Sequence, residues 1–410
     1  MLLQTPSPGR ARKELDFYLA LGPAMAATEG DAAPETLQVF SDARELLGDA
    51  GTITEQMIVH WGTYLAHSMR AEHVAAAEVA QRCLTLAEQH QHPGLSALAN
   101  RFMGQTLTFL GRFSDARLHL DRTLSICSAH PETVVGYRKF GSDDQVMASS
   151  FLAFSLLLLG YPEQSAVAIG GAVARARAMG LPYATALVLN QAALLGVLGG
   201  GAAQTAATHA QEAVSVSVEH DLAVPEQRAR FSQGALLAQD GELKRGIELM
   251  RGSTAANESQ SARNRHTLYL GLLASAHANL GEPEISLKLL AEAMQTAEAT
   301  EERFFAAELH RLRGNVLLTF GRSEDAETEL CRALAVARQQ GARWWELRAA
   351  TTLAKHWEQQ KRYPEAYRLL HPVYTWFAEG FDSHDLQDAK ALLDALRPHS
   401  ERRKAEGARG

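Results

Sequence analysis

Apolar residues recur three and four positions apart along almost the whole chain, and no run of useful length alternates apolar and polar at the two-residue period of a strand. Ala, Leu, Glu, Gln and Arg dominate, so intrinsic propensity agrees with the pattern and predicts an all-α protein. A short turn phrase interrupts the helical pattern at regular intervals: Leu-Gly-Arg-Phe-Ser-Asp-Ala at 110–116, Leu-Gly-Tyr-Pro-Glu-Gln-Ser at 159–165, Asp-Gly-Glu-Leu at 240–243, Leu-Gly-Glu-Pro-Glu-Ile-Ser at 280–286, Phe-Gly-Arg-Ser-Glu-Asp-Ala at 320–326 and Gln-Lys-Arg-Tyr-Pro-Glu-Ala at 360–366. With Gly111, Gly160, Gly200, Gly241, Gly281, Gly321 and Lys361 as register marks, the spacings are 49, 40, 41, 40, 40 and 40. Weaker copies at Gly30 and Arg70 bring the count to nine units.

A size rule surrounds each mark. Five positions after it stand Ala116, Ser165, Thr205, Gly246, Ser286, Ala326 and Ala366, all small; seven before it stand Gly104, Ala153, Ala193, Gly234, Ala274, Gly314 and Ala354, also small. Helices approach closely only where side chains are short, so the paired positions predict the crossing inside a helical hairpin. Nine after the mark come Leu120, Ile169, His209, Met250, Leu290, Leu330 and Leu370, large enough to fill the space between neighbouring hairpins. Glycine supplies the turn, and Pro162, Pro283 and Pro364 open the second helix, where a missing N–H costs little.

This small–turn–small pattern resembles the tetratricopeptide repeat, with each helix longer by a turn or less than in its usual period of about 34 residues. A single hairpin cannot bury its own apolar faces, so the units should stack into a right-handed superhelical solenoid of about nine hairpins with a concave inner face. The expected division is an N-terminal extension over 1–12, the solenoid over 13–397 and a disordered polar tail over 398–410. The sequence from Trp376 to Leu396 reads as a helix end, a glycine turn and a capping helix. The swollen 49-residue unit places its extra residues at 130–145, either a binding loop or a padded connection.

More specific phrases point to one group. Glu-Leu-His-Arg-Leu-Arg-Gly at 308–314, Trp-Glu-Leu-Arg-Ala-Ala at 345–350 and Trp-Phe-Ala-Glu-Gly-Phe-Asp at 376–382 resemble the tetratricopeptide region of large bacterial regulators. Those regulators join a class III adenylate/guanylate cyclase domain, a P-loop ATPase domain and a C-terminal helical repeat. Phe-Gly-Ser-Asp-Asp from Phe140, Leu-Leu-Gly-Tyr-Pro-Glu-Gln at 158–164 and the segment 14–24 match the same region. The resemblance implies a regulatory repeat module without the cyclase and ATPase parts: a separately encoded protein, a truncated relative or a fragment.

Composition narrows the chemistry. A net charge of −7, from 40 basic and 47 acidic residues, gives no basic excess for nucleic acid. Cys83, Cys127 and Cys331 lie too far apart for a disulfide framework or a cysteine-rich zinc module. The longest apolar stretch, Phe151–Leu159, falls well short of the roughly 20 residues that span a bilayer, and no secretory signal opens the chain, so a cytoplasmic protein with no membrane partner is expected. No Gly-Lys dipeptide exists for a P-loop, no second histidine completes a zinc motif at His356-Trp-Glu358, and no nucleophile elbow is present. The acidic pairs Asp143/Asp144 and Glu301/Glu302 read as solvated charge. No catalytic residue, metal site or cofactor is expected.

What remains is a surface. In tetratricopeptide stacks two columns of first-helix residues face the groove, here Arg101, Ser150, Asn190, Phe231, Gly271, Arg311, Thr351 and Gln105, Phe154, Leu194, Ala235, Ser275, Asn315, Lys355. Arg101, Arg311, Asn315, Arg348 and Lys355 are therefore the candidate protein-binding residues, with Arg311, Asn315, Arg348 and Lys355 forming an exposed cationic strip near the C-terminal end. Glu308 is spaced to pair with Arg311. The expected function is a non-catalytic interaction or scaffold module that binds a protein or peptide, with a separately encoded cyclase or ATPase among the candidate partners. A small-ligand sensor of a signalling or transcription regulator is the alternative.

Overall fold

The computed structural model describes residues 8–28, 32–48, 51–131, 143–199, 202–259 and 261–407. They form nineteen helices and, among the described residues, no strand. Nine antiparallel pairs follow one another: α1 (Pro8–Thr28) with α2 (Pro34–Leu47), α3 (Ile53–Met69) with α4 (His73–His90), α5 (Pro93–Phe109) with α6 (Phe113–Ala129), α7 (Asp144–Leu159) with α8 (Pro162–Met179), and α9 (Pro182–Val197) with α10 (Ala203–Glu219). The series continues with α11 (Ala223–Gln239) and α12 (Leu243–Ser259), α13 (His266–Asn279) and α14 (Pro283–Thr300), α15 (Ala306–Thr319) and α16 (Ser323–Gln340), and α17 (Arg343–Gln359) and α18 (Tyr363–Tyr374). A last helix, α19 (His384–Gly407), packs on α17 and α18 and caps the stack. Side chains of the expected polar tail, from 398 onward, lie outside the described residues, as do Gly30, Gly200 and most of the 130–145 insertion.

The turns are built as the repeat predicts. Gly111, Gly160, Gly241, Gly281 and Gly321 hold φ between +69° and +93°, where a side chain would be strained. Each is followed by a backbone bond that closes the helix end, such as Arg112 N to Leu107 O at 2.9 Å and Glu282 N to His277 O at 2.9 Å. Lys361 occupies the same left-handed position, as does Ala71, which moves the second mark one residue on from Arg70. The fifth turn differs more. Gly199 is its left-handed residue, and the second helix starts late, so Ala206 and Ala210 face the core while Thr205 is exposed and His209 only half-buried. A glycine-rich turn longer than the others shifts the register of α10.

The small positions sit where the helices cross. A Cβ on Gly234 would fall 2.7 Å from Gly246 O, and one on Gly314 2.8 Å from Leu330 Cγ. Ser165 uses its short side chain to donate to Ala153 O at 2.6 Å.

The stack also closes on itself. Met69 O, at the end of α3, accepts from Arg263 N and Asn264 N at 2.8 and 3.0 Å; Phe109 O, at the end of α5, accepts from Arg303 N and Phe304 N at 2.8 and 3.1 Å. Glu379 Oε1 accepts from Glu163 N at 2.9 Å beside the α7–α8 turn, and Trp344 Nε1 donates to Leu198 O at 3.0 Å. Each turn thus meets the chain four to five hairpins later. Between the seams an aromatic column fills the axis: Phe109 packs on His73, Phe151 and Phe304, Phe304 on Phe154 and Phe305, and Phe305 on Trp345. The inner column of first-helix residues is consequently interior over most of its length: Arg101, Ser150, Asn190 and Phe231 are buried, and Arg311 and Thr351, at its C-terminal end, keep only a small exposed edge. Every residue from Ala97 to Phe109 of α5 and from Ser150 to Leu159 of α7 is buried for the same reason, as in helices surrounded by protein.

Candidate functional site

Closure leaves one inner-face cleft that contains the predicted strip. It has a volume of about 410 Å³ and lies between α15, α17 and α19. Arg311 and Asn315 line it from α15, Arg348, Thr351 and Lys355 from α17, and Asp385 and Asp388 from α19. Four of the five candidate residues therefore come together. Arg101 does not join them: it is buried between α5 and α7, where Nε donates to Asp144 Oδ1. Asp144, with its neighbour Asp143, is likewise buried rather than solvated, and Asp143 takes Val146 N and the Arg175 guanidinium at 2.9 Å. These two carboxylates fasten the start of α7 to α5 and α8, so Arg101 is a structural pair and the groove assignment for it is corrected.

The strip is not an open row of cations. Arg311 donates two hydrogen bonds of 2.7 Å to Glu308, and its residue is 9% exposed. Arg348 Nη1 stands 3.0 Å from Glu308 Oε1 and its Nε 3.4 Å from Asp385 Oδ1, with the guanidinium 5.6 Å from the Trp345 ring centre. Lys355 Nζ stands 3.2 Å from Asp388 Oδ2 and remains half-exposed. Burial raises the Glu308 carboxyl, but the charges of Arg311 and Arg348, with the hydrogen bonds from Arg311, outweigh it and hold the group below its ordinary range. Arg348 answers in kind: burial would lower it, and Glu308 and Asp385 raise it. The Asn315 side chain makes no hydrogen bond among the described residues.

The arrangement is an alternating ladder, in which α19 already lays two carboxylates, three residues apart on one helical face, along Arg348 and Lys355 of α17. Sequence reasoning found the cations and missed Asp385 and Asp388; their spacing on a predicted capping helix is the signal that was present. Burial pushes the Cys83 and Cys127 thiols up to about 12, so neither offers a thiolate near neutral pH. Among the described residues no group of three His, Cys, Asp or Glu side chains is placed to hold a metal, and no helix is long and apolar enough to cross a membrane.

No family model and no curated protein matches the chain. Solved structures do. A Rap protein complexed with Competence and Sporulation Factor is 12% identical, with a TM-score of 0.61 over 83% of this chain and 89% of its own. The Rap conjugation gene regulator of plasmid pLS20, in complex with the Phr* peptide, is 11% identical, with a TM-score of 0.53 over 97% of this chain and 98% of its own. At such identities the likeness is one of fold, and it agrees with the repeat: the chain is a tetratricopeptide-like helical-repeat solenoid.

Proposed function

We propose that this chain is a non-catalytic binding module that holds an acidic segment of a protein or peptide partner in the cleft between α15, α17 and α19. The observation that carries it is the ladder itself. Two acidic residues of α19 are already held by Arg348 and Lys355, which gives an example within the molecule of the recognition proposed. A partner segment running beside α19 would meet the Asn315 amide, the exposed side of Lys355 and the Arg348 N–H groups not engaged by Glu308 or Asp385. Charge-assisted bonds to a carboxylate are among the stronger polar contacts available there. That two solved structures of similar fold are complexes, one with a named peptide, supports a peptide-sized occupant.

The context proposed for this module is the repeat region of cyclase–ATPase regulators, on the phrases at 308–314, 345–350 and 376–382, with a cytoplasmic location and a separately encoded cyclase or ATPase as the partner to try first. The test is photo-crosslinking in cells from a photoreactive amino acid placed at Asn315, with Leu118 on the exposed face of α6 as control. Crosslinks from position 315 to an acidic segment, without the same product from position 118, are expected. Equal products from both positions, or none from 315, would refute the cleft as the binding surface.

A further inference from the structure

A second polar centre lies on the superhelix axis and shares no residue with the C-terminal cleft. Arg228 on α11 and Arg265, just ahead of α13, are buried, at 6% and 7% exposure. Arg228 Nη2 donates to Asn264 Oδ1 at 2.7 Å and lies 3.3 Å from Met69 Sδ. Arg265 Nη2 donates to Gln191 Oε1 at 2.6 Å. These acceptors are two amides and a thioether; Arg265 is also supported by the Tyr269 hydroxyl and by the charge of Glu302. Among the described residues, no carboxylate oxygen comes within 4.0 Å of either guanidinium.

Glu302, the carboxylate whose charge acts on Arg265, is already committed. Glu302 Oε1 accepts from Thr267 N at 3.2 Å and Thr267 Oγ1 at 2.5 Å, while Oε2 accepts from the Arg265 backbone N at 2.7 Å and faces His73 Nε2 at 3.2 Å. It was read from sequence as solvated; it is buried, because these four partners satisfy it. Neither guanidinium is one of them. The Gln191 amide adds another unmet donor, since its Nε2 is buried with no acceptor among the described residues. Burying a cation without a counter-charge is costly, and two adjacent ones also repel. The cost shows at Arg265, which burial first and the Arg228 charge second push down to about 10.

Two guanidinium groups and a carboxamide N–H, short of acceptors, form the donor set that an oxyanion takes. We propose that Arg228, Arg265 and Gln191 form an interior site for an oxyanion, phosphate or carboxylate, at the seam where the end of α3 meets the 261–265 connection. The connection holds these groups in place: Ser261 and Arg265 both take left-handed backbone angles, at φ +56° and +72°, and Arg263 N and Asn264 N are tied to Met69 O. An anion there would join α9, α11 and the entry to α13 through one centre, and so fasten the closure of the superhelix.

The test follows thermal unfolding of the full chain while sodium phosphate or sodium acetate replaces sodium chloride at constant ionic strength. A saturable rise in Tm with phosphate, acetate or both is expected, and Arg228→Met should abolish it. Phosphate acting alone assigns a tetrahedral anion and acetate alone a carboxylate; either supports the site. No rise beyond that in chloride, or a full response from Arg228→Met, overturns it. If Arg228→Met does not fold, Gln191→Leu keeps both cations and removes the amide. Calorimetry on that variant should show anion affinity reduced about tenfold, and unchanged affinity counts against the site.

Discussion

Arg311 shows how a residue's neighbours reverse its meaning. Its type and register suggest an exposed hook for a partner, yet it is buried and clamped to a buried Glu308. Removing Arg311 leaves the buried Glu308 with Arg348 as its remaining counter-charge, so Arg311→Ala should lower unfolding stability by about 3 kcal/mol, the lower end for a broken buried pair, read from denaturant midpoints. Lys355→Ala, half-exposed, should change it by no more than about 1 kcal/mol. An Arg311→Ala protein as stable as the wild type would show that the Glu308 pair is not buried in solution. Acid should reveal the same carboxylates. Glu302 and Glu308 are held below their ordinary value near 4.5, so the stability they contribute is present above that value and is lost as pH falls through their lower folded values. Asp144 acts in the opposite sense, since burial raises it despite Arg101, and offsets part of that loss. Tm should therefore hold near neutrality and fall below about pH 4.5; a Tm that rises on acidification through that range would contradict the assignment. At this scale the sequence shows which residues carry charge, and it hides burial, which depends on what lies across the axis.

Helices and turns were the most legible level, because a hairpin is a local object. Small residues before and after each glycine mark the crossing, and Gly234, Gly246 and Gly314 are there because a Cβ would strike the opposing helix. The α9–α10 turn departs from the repeat's register, with Gly199, Ala206 and Ala210 in place of Gly200, Thr205 and His209, since extra glycines change its length while leaving no side chain to register. Close contact separates two kinds of helical glycine. Gly234→Ala, whose Cβ would lie 2.7 Å from a backbone oxygen, should destabilise by about 1–3 kcal/mol. Gly170→Ala on the open face of α8, with nothing within 4 Å, should stabilise by up to about 1 kcal/mol through helix propensity alone. Thermal melts of the two variants should move in opposite directions; a shared direction would put the α11–α12 crossing in the wrong place.

For the whole molecule, an open repeat array and a closed one differ in how far stability is shared. In an open solenoid each hairpin touches only its neighbours, and the ends fray first. Here the ends of α3 and α5 are hydrogen-bonded to connections nearly two hundred residues later, and an aromatic column joins the halves. Hydrogen exchange should accordingly be slowest in α5, α7 and α9, the helices enclosed on all sides, and a protection pattern that declines evenly from one end would contradict closure. None of this was legible beforehand: the seams use backbone carbonyls such as Met69 O and Phe109 O, which any sequence supplies. Closure also buries Arg101, Ser150, Asn190 and Phe231 of the inner column, whereas the C-terminal cleft keeps Asn315 and Lys355 accessible to a partner.

That claim is open to one direct measurement. Peptides of graded charge are screened on the immobilised protein, and the tightest binder is titrated into the wild type and into the Asn315→Ala/Lys355→Glu double variant, after both are shown to melt alike. The account predicts an acidic binder whose affinity falls at least about tenfold, or about 1.4 kcal/mol, in the variant. A binder that the variant holds as tightly as the wild type would contradict it.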